Sequence, residues 1–180
     1  MRYANILDFD VCNGEGIGIT LFVQGCHFHC SGCFNPESWD FNGGKEWTKE
    51  VHDYLISLID RPYIKRFSLL GGECLADENV EDVYNLIKEV KERFPDKNIW
   101  LYTGYSLPDI LLYKEFTEKE PDEFTIIRQN IIRLCNVVVD GRYVDELKDL
   151  RLKFRGSSNQ NIWKKQGNGF TNITLLEKGV

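Results

Sequence analysis

The sequence has no run of about eighteen apolar residues, so no membrane-spanning helix is expected. It also lacks a charged start leading into an apolar stretch with a small-residue cleavage site: Met1-Arg2-Tyr3-Ala4-Asn5 has neither. Without a leader, a cytoplasmic protein is expected. There is no basic stripe. Its 22 Lys and Arg stand against 28 Asp and Glu, scattered along the chain, for a formal net charge of −6. Nucleic acid is therefore not an expected partner. The densest basic stretch, Lys148 to Arg155, also holds Asp149 and reads as a solvated face. Internal repeats, low-complexity segments and Pro/Ser-rich linkers are all missing. A single domain over residues 1–180 is the simplest organisation, and that length allows a sizeable core.

What the chain does have is a cluster of cysteine. Of six cysteines, Cys26, Cys30 and Cys33 crowd into eight residues. In a chain expected to be cytosolic, such crowding points to metal binding or redox work rather than a disulfide framework. Cys12, Cys74 and Cys135 read as small core residues.

Residues 18–24 (GITLFVQ) read as a strand. Residues 48–60 read as a helix capped by Thr48, with Val51, Leu55, Leu58 and Ile59 on one face. Residues 65–70 read as a buried strand, and 79–94 as a helix stopped by Pro95. Strands are also expected at 98–103, 134–139 and 171–177, with helices near 106–115 and 122–133. Alternating strands and helices imply right-handed βαβ units and a mostly parallel sheet. Successive strands end at Gln24-Gly25, Gly71-Gly72-Glu73, Thr103-Gly104 and Asp140-Gly141. In parallel α/β sheets, ligands bind at that edge, so four segments are expected to converge on one site.

The spacing Cys26-x3-Cys30-x2-Cys33 places three thiolates on one loop. They suit a four-iron cluster with one iron left open, since such clusters take thiolate ligands. They also suit tetrahedral zinc, with His27 or His29 as the fourth ligand. Gly71 and Gly72 permit close approach of a ligand to the backbone, and Glu73 is a charged acceptor for an ammonium group. Asn13-Gly14-Glu15-Gly16-Ile17-Gly18 is glycine-rich but lacks dinucleotide-binding spacing.

The cysteine loop resembles the cluster motif of the radical S-adenosylmethionine superfamily. That resemblance implies a [4Fe-4S] cluster on Cys26, Cys30 and Cys33, with S-adenosylmethionine chelating the open iron. It implies a partial, open (β/α) barrel. Gly71-Gly72-Glu73 resembles the motif that binds the methionyl amino group, although Cys74 stands where the family usually has proline. Gly32 and Phe34, flanking the last cysteine, are expected near adenine, and Thr103 near the ribose. Asp140-Gly141-Arg142 resembles a site of the glycyl-radical activating enzymes that contacts cofactor or target peptide.

Several segments are similar to the branch that activates anaerobic ribonucleoside-triphosphate reductase: Asn13 to Gly16, Phe34 to Phe41, Tyr102 to Tyr105, Val139 to Tyr143 and Arg155 to Gln160. The likeness runs from about residue 5 to 163. It implies that the protein substrate is the large reductase subunit, on which a glycyl radical is formed, and that a flavodoxin-type donor supplies the electron. By composition alone, residues 155–160 read as a polar surface loop. Two other readings stay open on the residues: a radical enzyme acting on a small molecule of the deazaguanine-forming type, and a non-catalytic iron–sulfur or zinc module.

Overall fold

The computed structural model describes residues 1–175. The chain forms strands β1 (Arg2–Asp10), β2 (Gly18–Val23) and β3 (Lys45–Glu46), then helix α1 (Lys49–Ile59) and strand β4 (Arg66–Gly71). Helix α2 (Asp77–Arg93), strand β5 (Asn98–Thr103) and helices α3 (Leu107–Leu111), α4 (Tyr113–Thr117) and α5 (Glu123–Leu134) follow. Strands β6 (Val137–Asp140), β7 (Asn161–Gln166) and β8 (Gly169–Asn172) complete a single eight-stranded sheet in the order β3-β1-β2-β4-β5-β6-β7-β8. No described helix is long and apolar enough to cross a membrane.

The sheet is mixed and open, which corrects the expectation of a mostly parallel one. Its centre, β2-β4-β5-β6, makes three parallel pairings. The flanks make four antiparallel ones, β1 to β2 and β3, and β7 to β6 and β8. Parallel neighbours need a crossover, and this chain spends its helices only between the central strands. β7 and β8 are instead joined by a tight turn at Gly167, whose φ of 57° suits glycine.

The helix caps follow the residue chemistry. Thr48 accepts a hydrogen bond from Val51 N at the start of α1, and Asp122 accepts one from Thr125 N at the start of α5. The single helix expected near 106–115 is two short ones, because Leu112 leaves helical geometry (φ −106°, ψ 28°). The strand expected at 134–139 starts only at Val137, since α5 runs on to Leu134. The strand expected at 171–177 lies earlier, at Gly169–Asn172. A 3-10 turn over Ile173–Leu175 follows, and positions 176 and 177 lie outside the described residues.

Strand alternation separates two chemistries. Ile19, Leu21, Val23, Phe67, Leu69, Ile99, Leu101 and Val138 join the helices in one apolar core. The intervening residues face the other way, and there Thr20, Arg66 and Ser68 are fully buried. That concave face carries the site.

Candidate iron–sulfur and cofactor site

Because β2, β4, β5 and β6 are parallel neighbours, their C-terminal ends share one edge, with Val23 opposite Gly71 and Thr103 opposite Asp140. A cavity of about 470 Å³ opens there, bounded by Cys26, Cys30, Cys33, Gly71, Gly72, Glu73 and Thr103. The convergence expected from the strand ends is present.

The cysteine loop is docked by backbone bonds. Gly25 N donates to Ser38 O at 2.8 Å, Cys26 N to Trp39 O at 3.1 Å, and Glu73 N to Gly25 O at 2.7 Å. Gly25 has φ 95°, and a Cβ there would sit 2.1 Å from the Phe41 ring. A Cβ on Gly72 would meet Gly25 O at 2.3 Å, so the glycine lets two strand ends touch. All three loop thiols are half-buried and face the same cavity. His27 instead pairs with Glu78 at 2.9 Å and packs on Phe41, while His29 stacks on Trp39 at 4.6 Å. Neither imidazole is in the cavity wall. With both imidazoles turned away, the loop offers the cavity three thiols, a donor type that suits an iron–sulfur cluster. Asn35 N lies 3.4 Å from Cys33 Sγ and donates to it, a contact that tunes such clusters.

Glu73 lies in the wall but is only 3% exposed. Its carboxylate accepts from Leu75 N, the Thr103 hydroxyl and Gly104 N, each at 2.8 Å. Burial pushes its carboxyl above the usual range, and these three donors oppose the rise. The side chain thus ties β4 to β5 and aligns the glycine backbone along the cavity. Thr103 is in the wall and engaged with Glu73. Phe34 is in the wall and 57% exposed.

Two expected site residues are not brought to the cavity. Gly32 faces the Asp145 carboxylate, which a Cβ would approach to 2.6 Å. Asp140 is buried behind the wall, accepting from Leu107 N at 2.7 Å and Asn161 Nδ2 at 3.0 Å. Its neighbour Arg142 does reach the cavity, with its guanidinium 4.3 Å from the Phe28 ring centroid.

Sequence reasoning missed a buried clamp beneath the cavity. Arg66, fully buried, donates to Asp10 Oδ2 and Asp10 O at 2.9 Å and to Asn13 O at 2.7 Å. Asp10 also accepts from the Thr20 hydroxyl at 2.7 Å and Cys12 N at 2.9 Å. Burial opposes its charge, but the bonds from Thr20, Cys12 N and Arg66 together hold its carboxyl below the usual carboxylate range. This clamp folds the β1–β2 connection up so that Cys12 and Asn13 form part of the cavity wall. Cys12 is exposed, which corrects its reading as a core residue; Cys74 and Cys135 are buried as expected. A lone charge opening an otherwise apolar and small strand, Arg66 ahead of Phe67 and Leu69, was the available signal.

Residues 155–160 are a surface loop only at Ser158 and Asn159, which are exposed. Gly156 and Gln160 line the cavity and Ser157 is fully buried. The Gln160 amide accepts from Gly156 N at 2.9 Å and donates to Gly141 O at 2.9 Å.

Residues 12–163 match a family described as a 4Fe-4S single cluster domain. Curated relatives match this chain over most of both lengths. The anaerobic ribonucleoside-triphosphate reductase-activating protein of Salmonella typhi is 39% identical over 90% of this chain and 97% of its own. Its Escherichia coli K12 counterpart is 38% identical over the same shares. That of Enterobacteria phage T4 is 35% identical over 91% of this chain and 94% of its own. With a thiolate triad facing one cavity and this likeness across most of its length, the chain belongs to the anaerobic ribonucleoside-triphosphate reductase-activating proteins, a family with a single 4Fe-4S cluster domain.

Proposed function

We propose that this chain is a radical S-adenosylmethionine activase that installs a glycyl radical on the large subunit of anaerobic ribonucleoside-triphosphate reductase. The observation that carries this reading is that three thiols and a glycine-lined strand edge bound one cavity. When bound, the reduced [4Fe-4S] cluster and S-adenosylmethionine supply an electron and a 5′-deoxyadenosyl radical, which is the hard chemistry. The protein's part is to hold, orient and seclude them.

In this reading Cys26, Cys30 and Cys33 hold three irons and leave the fourth open. The backbone of Gly71 and Gly72 receives the methionyl end. Glu73 keeps that backbone in line through Thr103 and Gly104, and its negative charge favours the ammonium group nearby. Thr103 stands on the ribose side. Phe34 stands on the adenine side, with the Gly32 backbone behind it. Asp140 acts at one remove, holding the start of α3 and Asn161 so that Gly141 and Arg142 meet the cavity. The open sheet with a parallel centre supports a partial barrel of the radical S-adenosylmethionine type, whose lateral opening admits a folded partner's loop. A flavodoxin-type protein is the proposed electron donor.

The test is anaerobic. The reconstituted, reduced protein is mixed with S-adenosylmethionine and the large reductase subunit, EPR spectra are recorded and 5′-deoxyadenosine is quantified. A glycyl-radical doublet on the reductase is the expected outcome. Deoxyadenosine without the doublet would move the chemistry to another substrate. The absence of both signals would refute the activase reading.

A further inference from the structure

The basic stretch at 148–155, which reads from sequence as a solvated face, is a strap along the cavity mouth. Leu150, Leu152 and Phe154 all line the cavity, and Leu150, at its rim, is 84% exposed. No other large apolar side chain among the described residues stands so far into solvent. The strap is not a frayed end. Lys148 bridges Ser157, and Ser158 N donates to Leu147 O at 2.9 Å. The Lys148 ammonium lies 5.1 Å from the Phe34 ring centroid, so strap and cysteine loop meet at one rim.

Charge singles out the same rim. The chain carries −6 overall, yet residues 148–155 hold four cations and one acid. Asp149 pairs with Arg151 at 2.8 Å. Lys148 and Lys153 have no carboxylate partner among the described residues. An exposed leucine and phenylalanine beside lysines that lack a carboxylate partner among the described residues form an unfinished contact.

We propose that Phe34, Lys148, Leu150 and Lys153 are the docking surface for the glycine-bearing segment of the reductase, a segment with an apolar side chain flanked by carboxylates. This rests on the activase reading above. Hydrogen abstraction requires the glycine Cα to reach the cavity, so its segment must cross a rim of that cavity, and among the described residues this rim is the one that combines exposed apolar side chains with free cationic charge. An electron crosses several ångströms of protein, so the donor has no such need.

The experiment uses the full chain loaded with its cluster, with dithionite as reductant. Glycyl-radical formation is measured against reductase concentration. Leu150→Ser is expected to raise the KM for reductase about 10- to 100-fold, the loss expected from no longer burying one leucine. Lys148→Glu combined with Lys153→Glu is expected to raise it too, and to reverse its dependence on salt, since screening then relieves repulsion instead of weakening attraction. Iron content, S-adenosylmethionine affinity and deoxyadenosine formed without reductase should stay at wild-type values in both variants. An unchanged KM in both would overturn the proposal, as would a parallel fall in S-adenosylmethionine affinity, which would assign the strap to the cofactor cavity. A defect seen only when a flavodoxin replaces dithionite would assign the rim to the donor and overturn it as well. Failure of the wild-type protein to form any glycyl radical would instead bring down the functional reading, and this docking surface with it.

Discussion

Replacing Arg66 with Met tests the clamp beneath the cavity. The substitution keeps much of the volume but removes the guanidinium that bonds Asp10 Oδ2, Asp10 O and Asn13 O. Both members of the ion pair are buried, Arg66 at 0% exposure and Asp10 at 5%. Breaking a buried pair from one side costs about 3–5 kcal/mol, because the remaining charge loses its partner. For a chain of this length that is a fall of about 8–16 °C in Tm for ~4 kcal/mol. The Arg66→Met protein, compared with wild type at equal cluster loading under anaerobic conditions, should show this loss in thermal and urea unfolding. The double variant with Asp10→Asn should lose less than the sum of the two single losses. The pH dependence carries a sign. The Asp10 carboxyl lies below the ordinary carboxylate value in the folded protein. Its contribution is present above the unfolded value of about 3.9 and is lost as pH falls through the lowered one. Without Arg66 that value rises. The deficit of Arg66→Met should therefore be largest near neutral pH and shrink below about pH 4. A loss under about 1 kcal/mol, or a deficit that grows on acidification, would refute the clamp.

Cys30→Ala should lose most of its iron and sulfide and reduce deoxyadenosine to background; normal cleavage would sink the ligand assignment. Gly72→Ala drives a Cβ against the Gly25 carbonyl, which is backbone and cannot swing aside. Lower cluster retention on gel filtration is expected, and wild-type retention would show that the two strand ends need no contact. Glu73→Gln leaves a buried amide N–H facing either Gly104 N or the Leu75 and Thr103 donors. A stability loss of about 1–3 kcal/mol with weakened S-adenosylmethionine binding should appear in unfolding and titration experiments. Thiol labelling of the folded holoprotein should find Cys12 reactive and Cys74 and Cys135 silent. Burial pushes the Cys135 thiol up to about 12 and raises that of Cys74. Fast labelling of Cys135 would contradict its placement in the core.

The parts of the fold that were legible are those with a local signal. α1 and α2 follow the stripe of Leu55 to Ile59 and of Val80 to Val90, and β2, β4 and β5 end at their glycines. β1 was not legible, because its burial pattern shows no regular alternation. The break of the expected helix at Leu112 carries no glycine or proline to announce it. The mixed sheet was missed because strand direction depends on which neighbour a strand finds, not on its own residues. In the site, the thiolate triad and the Gly-Gly-Glu edge were readable by type and spacing. The buried role of Asp140 was not, since Leu107 N and Asn161 lie 33 and 21 residues away.

The sequence alone determined the chemistry. Three cysteines at three- and two-residue gaps put three thiolates on one loop, and glycines after successive strands leave room for a ligand at their ends. Those are short-range facts that a linear reading contains. Only the tertiary structure decided what surrounds that chemistry. It turned Glu73 inward to hold Thr103 and Gly104, set Asp140 behind the wall, folded Cys12 and Asn13 into it through Arg66, and laid the 148–155 strap along its mouth. Each of those placements comes from a contact between residues dozens of positions apart. Their partners are chosen by packing and by the need to satisfy buried polar groups, and neither is written in local spacing.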